Sequence, residues 1–110
     1  MINKKDKKKI NDLMTVILSL KTRGEARNFL RDLLTEKELI EFGNRWRAAR
    51  MLANKTRYAD IEYETGLSST TVARVSKWLN KGKGGYRLAL KKLGLTKKHH
   101  NLSLIGKGLR

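Results

Sequence analysis

The residues best equipped to do chemistry form one run, Gly66-Leu67-Ser68-Ser69-Thr70-Thr71-Val72-Ala73-Arg74-Val75-Ser76-Lys77. The chemistry they offer is recognition, not bond-making. A helix-turn-helix needs a short first helix, a sharp turn and a second helix. Gly66 supplies the turn, because positive φ is costly for any residue with a Cβ. Ile61, Leu67, Val72 and Val75 are apolar at the spacings that lock two crossed helices together. Between them Ser68, Ser69, Thr70, Ala73, Arg74 and Lys77 are small or polar, and a helix slim at its leading end can enter the major groove of DNA. Ser69, Thr70 and Ala73 are expected nearest base edges, offering hydroxyls and a methyl. Arg74 suits guanine or phosphate, and Lys77 suits phosphate. Ser68 should cap the second helix and leave backbone N–H groups at a positive terminus, a seat for phosphate. Lys81 and Lys83 extend the basic flank. The plainer alternative is a helical hairpin with a solvated polar face. Glu62 and Glu64 would repel phosphate, so they are expected to point away from the groove, Glu62 into solvent.

The elements that must hold this run are helical. Ile10, Leu13, Met14, Ile17 and Leu18 fall on one helical face, and Val16 and Leu20 widen it beyond what one partner element would need. The charged stretch Lys4–Lys9 before it is expected to fray. Thr22-Arg23-Gly24 breaks the pattern, and a second helix follows over about 25–34, with Ala26, Phe29, Leu30 and Leu33 inward. Thr35 with Glu38 forms a capping box that opens a third helix over 36–53, whose inward stripe reads Leu39, Phe42, Trp46, Ala49 and either Leu52 or Ala53. Thr56 should cap a fourth helix over 57–65. The fifth runs over about 69–80, with Val72, Val75 and Leu79 inward. Lys81 to Gly85 reads as a flexible basic hinge, and a sixth helix over 86–93 places Tyr86, Ala89, Leu90 and Leu93 on one face. The expected organisation is a basic arm over 1–9, a helical body over 10–93 carrying the helix-turn-helix at about 57–80, and a basic tail over 94–110.

Composition narrows the partner. The 110 residues allow one domain and carry a net charge of +16. Met1 to Gly66 holds 15 basic and 10 acidic residues, whereas Leu67 to Arg110 holds 11 basic residues and no acid. Such an acid-free half points to a polyanion: DNA, RNA or an anionic membrane. Cysteine is absent, which removes disulfides and thiolate metal sites and agrees with a cytoplasmic setting. No apolar run approaches the roughly 18 residues of a membrane span, and no signal-peptide pattern is present. Proline is absent too, which favours long helices. His99 and His100 are the two histidines, and neighbouring side chains diverge, so neither a metal site nor a nucleophile–base–acid set can be assembled. No enzyme activity is expected. Trp46 reads as core, while Trp78 and Tyr86 adjoin the basic hinge.

Four motifs, Leu34-Thr35-x-x-Glu38, Gly43-x-Arg45, Arg50-Met51-Leu52 and Gly66-Leu67-Ser68-x-x-Thr71-Val72-x-Arg74, together resemble the Trp-repressor family, in particular its YerC/YecD-type relatives. The resemblance covers about Leu18 to Leu93. It implies an all-α, six-helix fold in which two copies interlace as a homodimer, with two recognition helices about one turn of duplex apart. It also implies an effector pocket at Thr35, Arg45 and Arg74. Where the family has a glycine against the ligand's indole this chain has Val75, and where it has a serine this chain has Trp78. Both should fill the pocket. The pattern therefore admits a small-molecule corepressor but argues against tryptophan, and no other cofactor is expected.

These readings converge on a sequence-specific, duplex-DNA-binding transcriptional regulator of repressor type. The alternatives are a low-specificity RNA-binding or nucleoid-associated protein, and a protein-interaction module whose hairpin docks an acidic partner. Exposed aromatics at regular spacing, which single-strand stacking needs, are lacking.

Overall fold

A computed structural model describes residues 1–96 and, among them, contains helices without strands. In chain order these are α1 (Lys4–Ser19), α2 (Arg23–Leu33), α3 (Glu36–Ala53), α4 (Tyr58–Thr65), α5 (Ser69–Lys81) and α6 (Gly85–Lys92). The chain divides into two compact units, one ending at Leu39 and the other beginning at Ile40.

The first unit is built from caps more than from a core. Contrary to expectation, Lys4–Lys9 is helical. Asn3 is the reason: its side chain accepts from the Asp6 N–H at 2.8 Å, and Lys8 pairs with Asp12 at 3.2 Å one turn on. The break before α2 lies at Leu20–Thr22, because Thr22 accepts from the Glu25 N–H at 3.0 Å while Glu25 accepts from the Lys21 N–H at 2.9 Å. Arg23 and Gly24 therefore belong to the first turn of α2, not to the break. The capping box at Thr35 and Glu38 forms as expected, at 3.1 and 2.9 Å. Neither α1 nor α2 buries a residue. Leu33, expected inward, is exposed, as are Ile10, Met14, Val16, Ile17 and Leu18.

The second unit holds the core. Ala48, Ala49, Ile61, Leu67, Val72 and Val75 are buried together, with Trp46, Met51, Leu52 and Tyr86 packed against them. Leu79 and Leu90 are buried as well. Trp46 stacks on Tyr86 with ring centroids 6.4 Å apart. Burial pushes the Tyr86 phenol above its ordinary value, and the nearby Arg45 guanidinium partly offsets this. On α3 the inward positions are Ala48 and Ala49, both fully buried in this core. Phe42, expected inward, is exposed, with the Arg45 guanidinium 5.9 Å above its ring. Leu93 is exposed likewise. The turn after α3 carries Lys55 at φ 65°, the one non-glycine residue with positive φ among the described residues.

Candidate nucleic-acid interface

The turn between α4 and α5 is fixed by three local features. Gly66 adopts φ 72°, and its N–H donates to the Glu62 carbonyl at 2.8 Å, closing α4. The Thr65 hydroxyl, buried, donates to the Ile61 carbonyl at 2.7 Å and accepts from the Leu67 N–H at 3.2 Å. Sequence reasoning did not single out Thr65; its signal was a β-branched hydroxyl at a helix end, where back-bonding to the preceding turn is common. Ser68 then caps α5, accepting from the Thr71 N–H at 3.1 Å. Its hydroxyl also donates to Thr71 Oγ1 at 3.0 Å, so the cap is held from two sides. That cap satisfies one first-turn amide and leaves those of Ser69 and Thr70 outward. At α4 the expected cap fails: Arg57 occupies the position without a side-chain cap, and it pairs instead with Asp60 at 3.1 Å. Thr56 stands one residue too early.

The four residues expected to anchor the hairpin, Ile61, Leu67, Val72 and Val75, are all buried. Their burial decides which way α5 faces. With Val72, Val75 and Leu79 locked inward, the 3.6-residue period turns Ser69, Thr70, Ala73, Arg74 and Lys77 outward, and each is exposed. Ser69, Ala73 and Lys77 form one row at four-residue spacing, and Thr70 and Arg74 form the next. Lys81 and Lys83 are exposed beyond them. Among the described residues none of the basic residues on this face has an acidic partner, since the ion pairs of the second unit join Arg45 to Glu41, Arg47 to Glu64 and Arg57 to Asp60. Glu64 is thus drawn toward α3 at 3.9 Å. Glu62, expected in solvent, is partly buried.

Beside this face, Lys77, Trp78, Lys81, Lys83 and Tyr86 line an open cavity of about 680 Å³. Gly82, which also lines it, has no room for a side chain: a Cβ there would collide with the Trp78 carbonyl. Gly84, at φ 90°, then starts α6. Of the expected hinge, Lys81 ends α5 and Gly85 opens α6, so Gly82–Gly84 makes the connection.

The residues of the expected effector pocket are placed as follows. Thr35 caps α3 in the first unit, its hydroxyl engaged by the Glu38 N–H. Arg45 and Arg74 belong to the second unit. Arg45 donates to Glu41 at 3.0 Å, and its Nε is enclosed without a partner. Val75 is fully buried in the core, and Trp78 is 43% exposed. His99 and His100 lie outside the described residues. Among the described residues no helix is long and apolar enough to cross a membrane.

Comparison with known proteins agrees with this architecture. The family model described as Trp repressor protein matches residues 8–94. The chain is 39% identical to YerC of Bacillus subtilis (strain 168), a protein that is itself uncharacterised, over 86% of this chain and 91% of that one. A solved TrpR-like protein from Eubacterium eligens superposes with a TM-score of 0.78 at 36% identity, covering 83% of this chain and 94% of its own. A second solved structure, from Staphylococcus aureus, gives 0.74 at 32% identity, covering 78% and 86%. A chain with six helices and no strand among its described residues, matched over this length, belongs to the Trp repressor family, whose members are DNA-binding regulators rather than enzymes.

Proposed function

We propose that this protein is a sequence-specific transcriptional regulator that reads duplex DNA with α5, the second helix of a helix-turn-helix, and represses by occupying its site. The observation that carries this reading is the two-sidedness of α5. Val72, Val75 and Leu79 are buried, and the opposite side presents Ser69, Thr70, Ala73, Arg74 and Lys77 without an acid among them. Ser69, Thr70 and Ala73 meet base edges. Ser68, Lys77, Lys81 and Lys83 hold phosphates, and Arg74 lies where it can do either. The acid-free second half adds sequence-independent attraction with steep salt dependence.

The working form is a homodimer in the cytoplasm. Its support is the apolar surface of α1, where Ile10, Met14, Val16, Ile17 and Leu18 are between 39% and 84% exposed. A soluble monomer rarely leaves so contiguous a stripe in water. A small-molecule corepressor is compatible with this reading; tryptophan is not its expected identity, given Val75 and Trp78.

Affinity for a selected duplex and for a random duplex, measured at the same salt, tests the proposal. Specific sites are typically bound about 10³-fold or more tighter than random sequence. Equal affinity for both would leave only charge-driven binding, of the kind a nucleoid-associated or RNA-binding protein shows. Arg74→Ala should cost about 1–3 kcal/mol on the selected duplex if the guanidinium reads a base.

A further inference from the structure

The outward face of α5 has two borders. Trp78 marks one, beside the cavity that also holds Lys77, Lys81 and Lys83. Ser76 and Asn80 mark the other; Ser76 and Trp78, two positions apart, lie on nearly opposite sides of the helix. Along this second border runs another cavity, of about 880 Å³, into which Lys55, Arg87 and Lys91 face together with Ser76, Asn80 and Thr96. These three cations come from the turn after α3 and from α6, far apart in sequence, and among the described residues no acidic one lines the space. Among the described residues none of the three forms an ion pair.

Two details show that the cluster is organised. Arg87 Nη2 donates to Asn80 Oδ1 at 2.9 Å, and Asn80 Nδ2 donates to the Ser76 carbonyl at 2.9 Å. The amide is thus fixed at both ends, and it ties the guanidinium of α6 to the edge of α5 while most of its donors stay available. Lys55 sits at φ 65°, where glycine or asparagine would fit with less strain, so its charge is held at a conformational cost.

A helix in the major groove lies between two sugar–phosphate backbones, and cations on one border can reach only one of them. We propose that Lys55, Arg87 and Lys91 form a second phosphodiester-binding site, which grips the strand opposite the one met by Lys77, Lys81 and Lys83. Arg87 is the positioned donor, and the two lysines act as point charges beside it. The site rests on α5 being the groove helix. It adds to that reading a cluster that contributes affinity and orientation without base choice.

The test is the slope of log K against log salt for the full chain on a selected and on a random duplex. Removing one cation that neutralises a phosphate should flatten the slope by about 0.9. The Arg87→Gln/Lys91→Gln double variant should flatten it by about 2 and weaken both duplexes by the same factor. The Arg87→Lys/Lys91→Arg variant should restore the slope, which separates charge from packing. Lys92→Gln, on the same helix but outside the cavity, should leave the slope unchanged. An unchanged slope in the double variant overturns the site, and so does an equal flattening in Lys92→Gln, which would mean bulk charge only. A weakening confined to the selected duplex would also overturn it, by assigning the residues to readout. If the unsubstituted protein binds neither duplex, the groove reading fails first and this site with it.

Discussion

Residues 40–96 contain every buried apolar side chain of the described chain, whereas α1 and α2 contain none. Yet both regions are written with the same helical spacing of apolar residues. On α5 the stripe of Val72, Val75 and Leu79 is covered by its own chain. On α1 the stripe from Ile10 to Leu18 remains open. Periodicity therefore shows that a face wants cover, but not what covers it. In the region proposed to read DNA the cover is intramolecular, which fixes the outward side of α5. In α1 the proposed cover is a second copy of the chain.

The sharpest contrast comes from truncating one isoleucine in each region. Ile61→Ala removes a fully buried side chain and should lower the unfolding free energy by about 2–5 kcal/mol, read from a denaturant midpoint. Ile17→Ala should instead weaken association, so that its effect grows on dilution and sedimentation shows a larger monomer fraction. A concentration-independent destabilisation in Ile17→Ala would break the comparison, because α1 would then be packed within its own chain.

Next in size is the turn. Gly66→Val forces a β-branched residue to φ 72° and should cost about 1–2 kcal/mol, with duplex affinity falling alongside. Apart from its chain neighbours, no heavy atom lies within 4 Å of where its Cβ would stand. The strain is therefore in the backbone alone, and Gly66→Asn, which tolerates that conformation, should lose less than Gly66→Val. Equal destabilisation by the two would point to a packing clash instead.

Smaller again is the cap. Ser68→Ala should destabilise α5 by about 1 kcal/mol and speed hydrogen exchange at the Thr71 amide, whereas Thr22→Ala should do the same for Glu25 in α2 without touching α5. The smallest effect concerns Tyr86, whose phenol is raised by burial, so the fold favours its neutral form. Its contribution is intact below the ordinary tyrosine value and disappears as pH rises through the higher folded value. Tyr86→Phe should flatten the alkaline fall in thermal midpoint relative to the unsubstituted protein.

How much of this was legible depended on how local the cause was. The hairpin anchors, the Gly66 turn and the Ser68 and Thr35 caps each depend on residues within a turn or two of one another, and all take the expected form. The Asn3 cap is equally local, but the run of lysines after it hid a sound helix start. Phe42, Leu33 and Leu93 were misplaced for a different reason: their spacing is helical, but their cover is not supplied by the neighbouring element. The cluster of Lys55, Arg87 and Lys91 was not legible at all. Its members come from the turn after α3 and from α6 and meet only through tertiary packing, and nothing in their spacing announces it.

The central claim is that the outward row of α5 chooses the sequence. Selection of bound fragments from randomised duplex, run in parallel for the unsubstituted protein and for variants at Ser69, Thr70 and Ala73, tests it most directly. The account predicts a two-fold symmetric sequence for the former and a changed base at one position of each half-site for each variant. The same recovered sequence from every variant, or no enrichment in any selection, would contradict it.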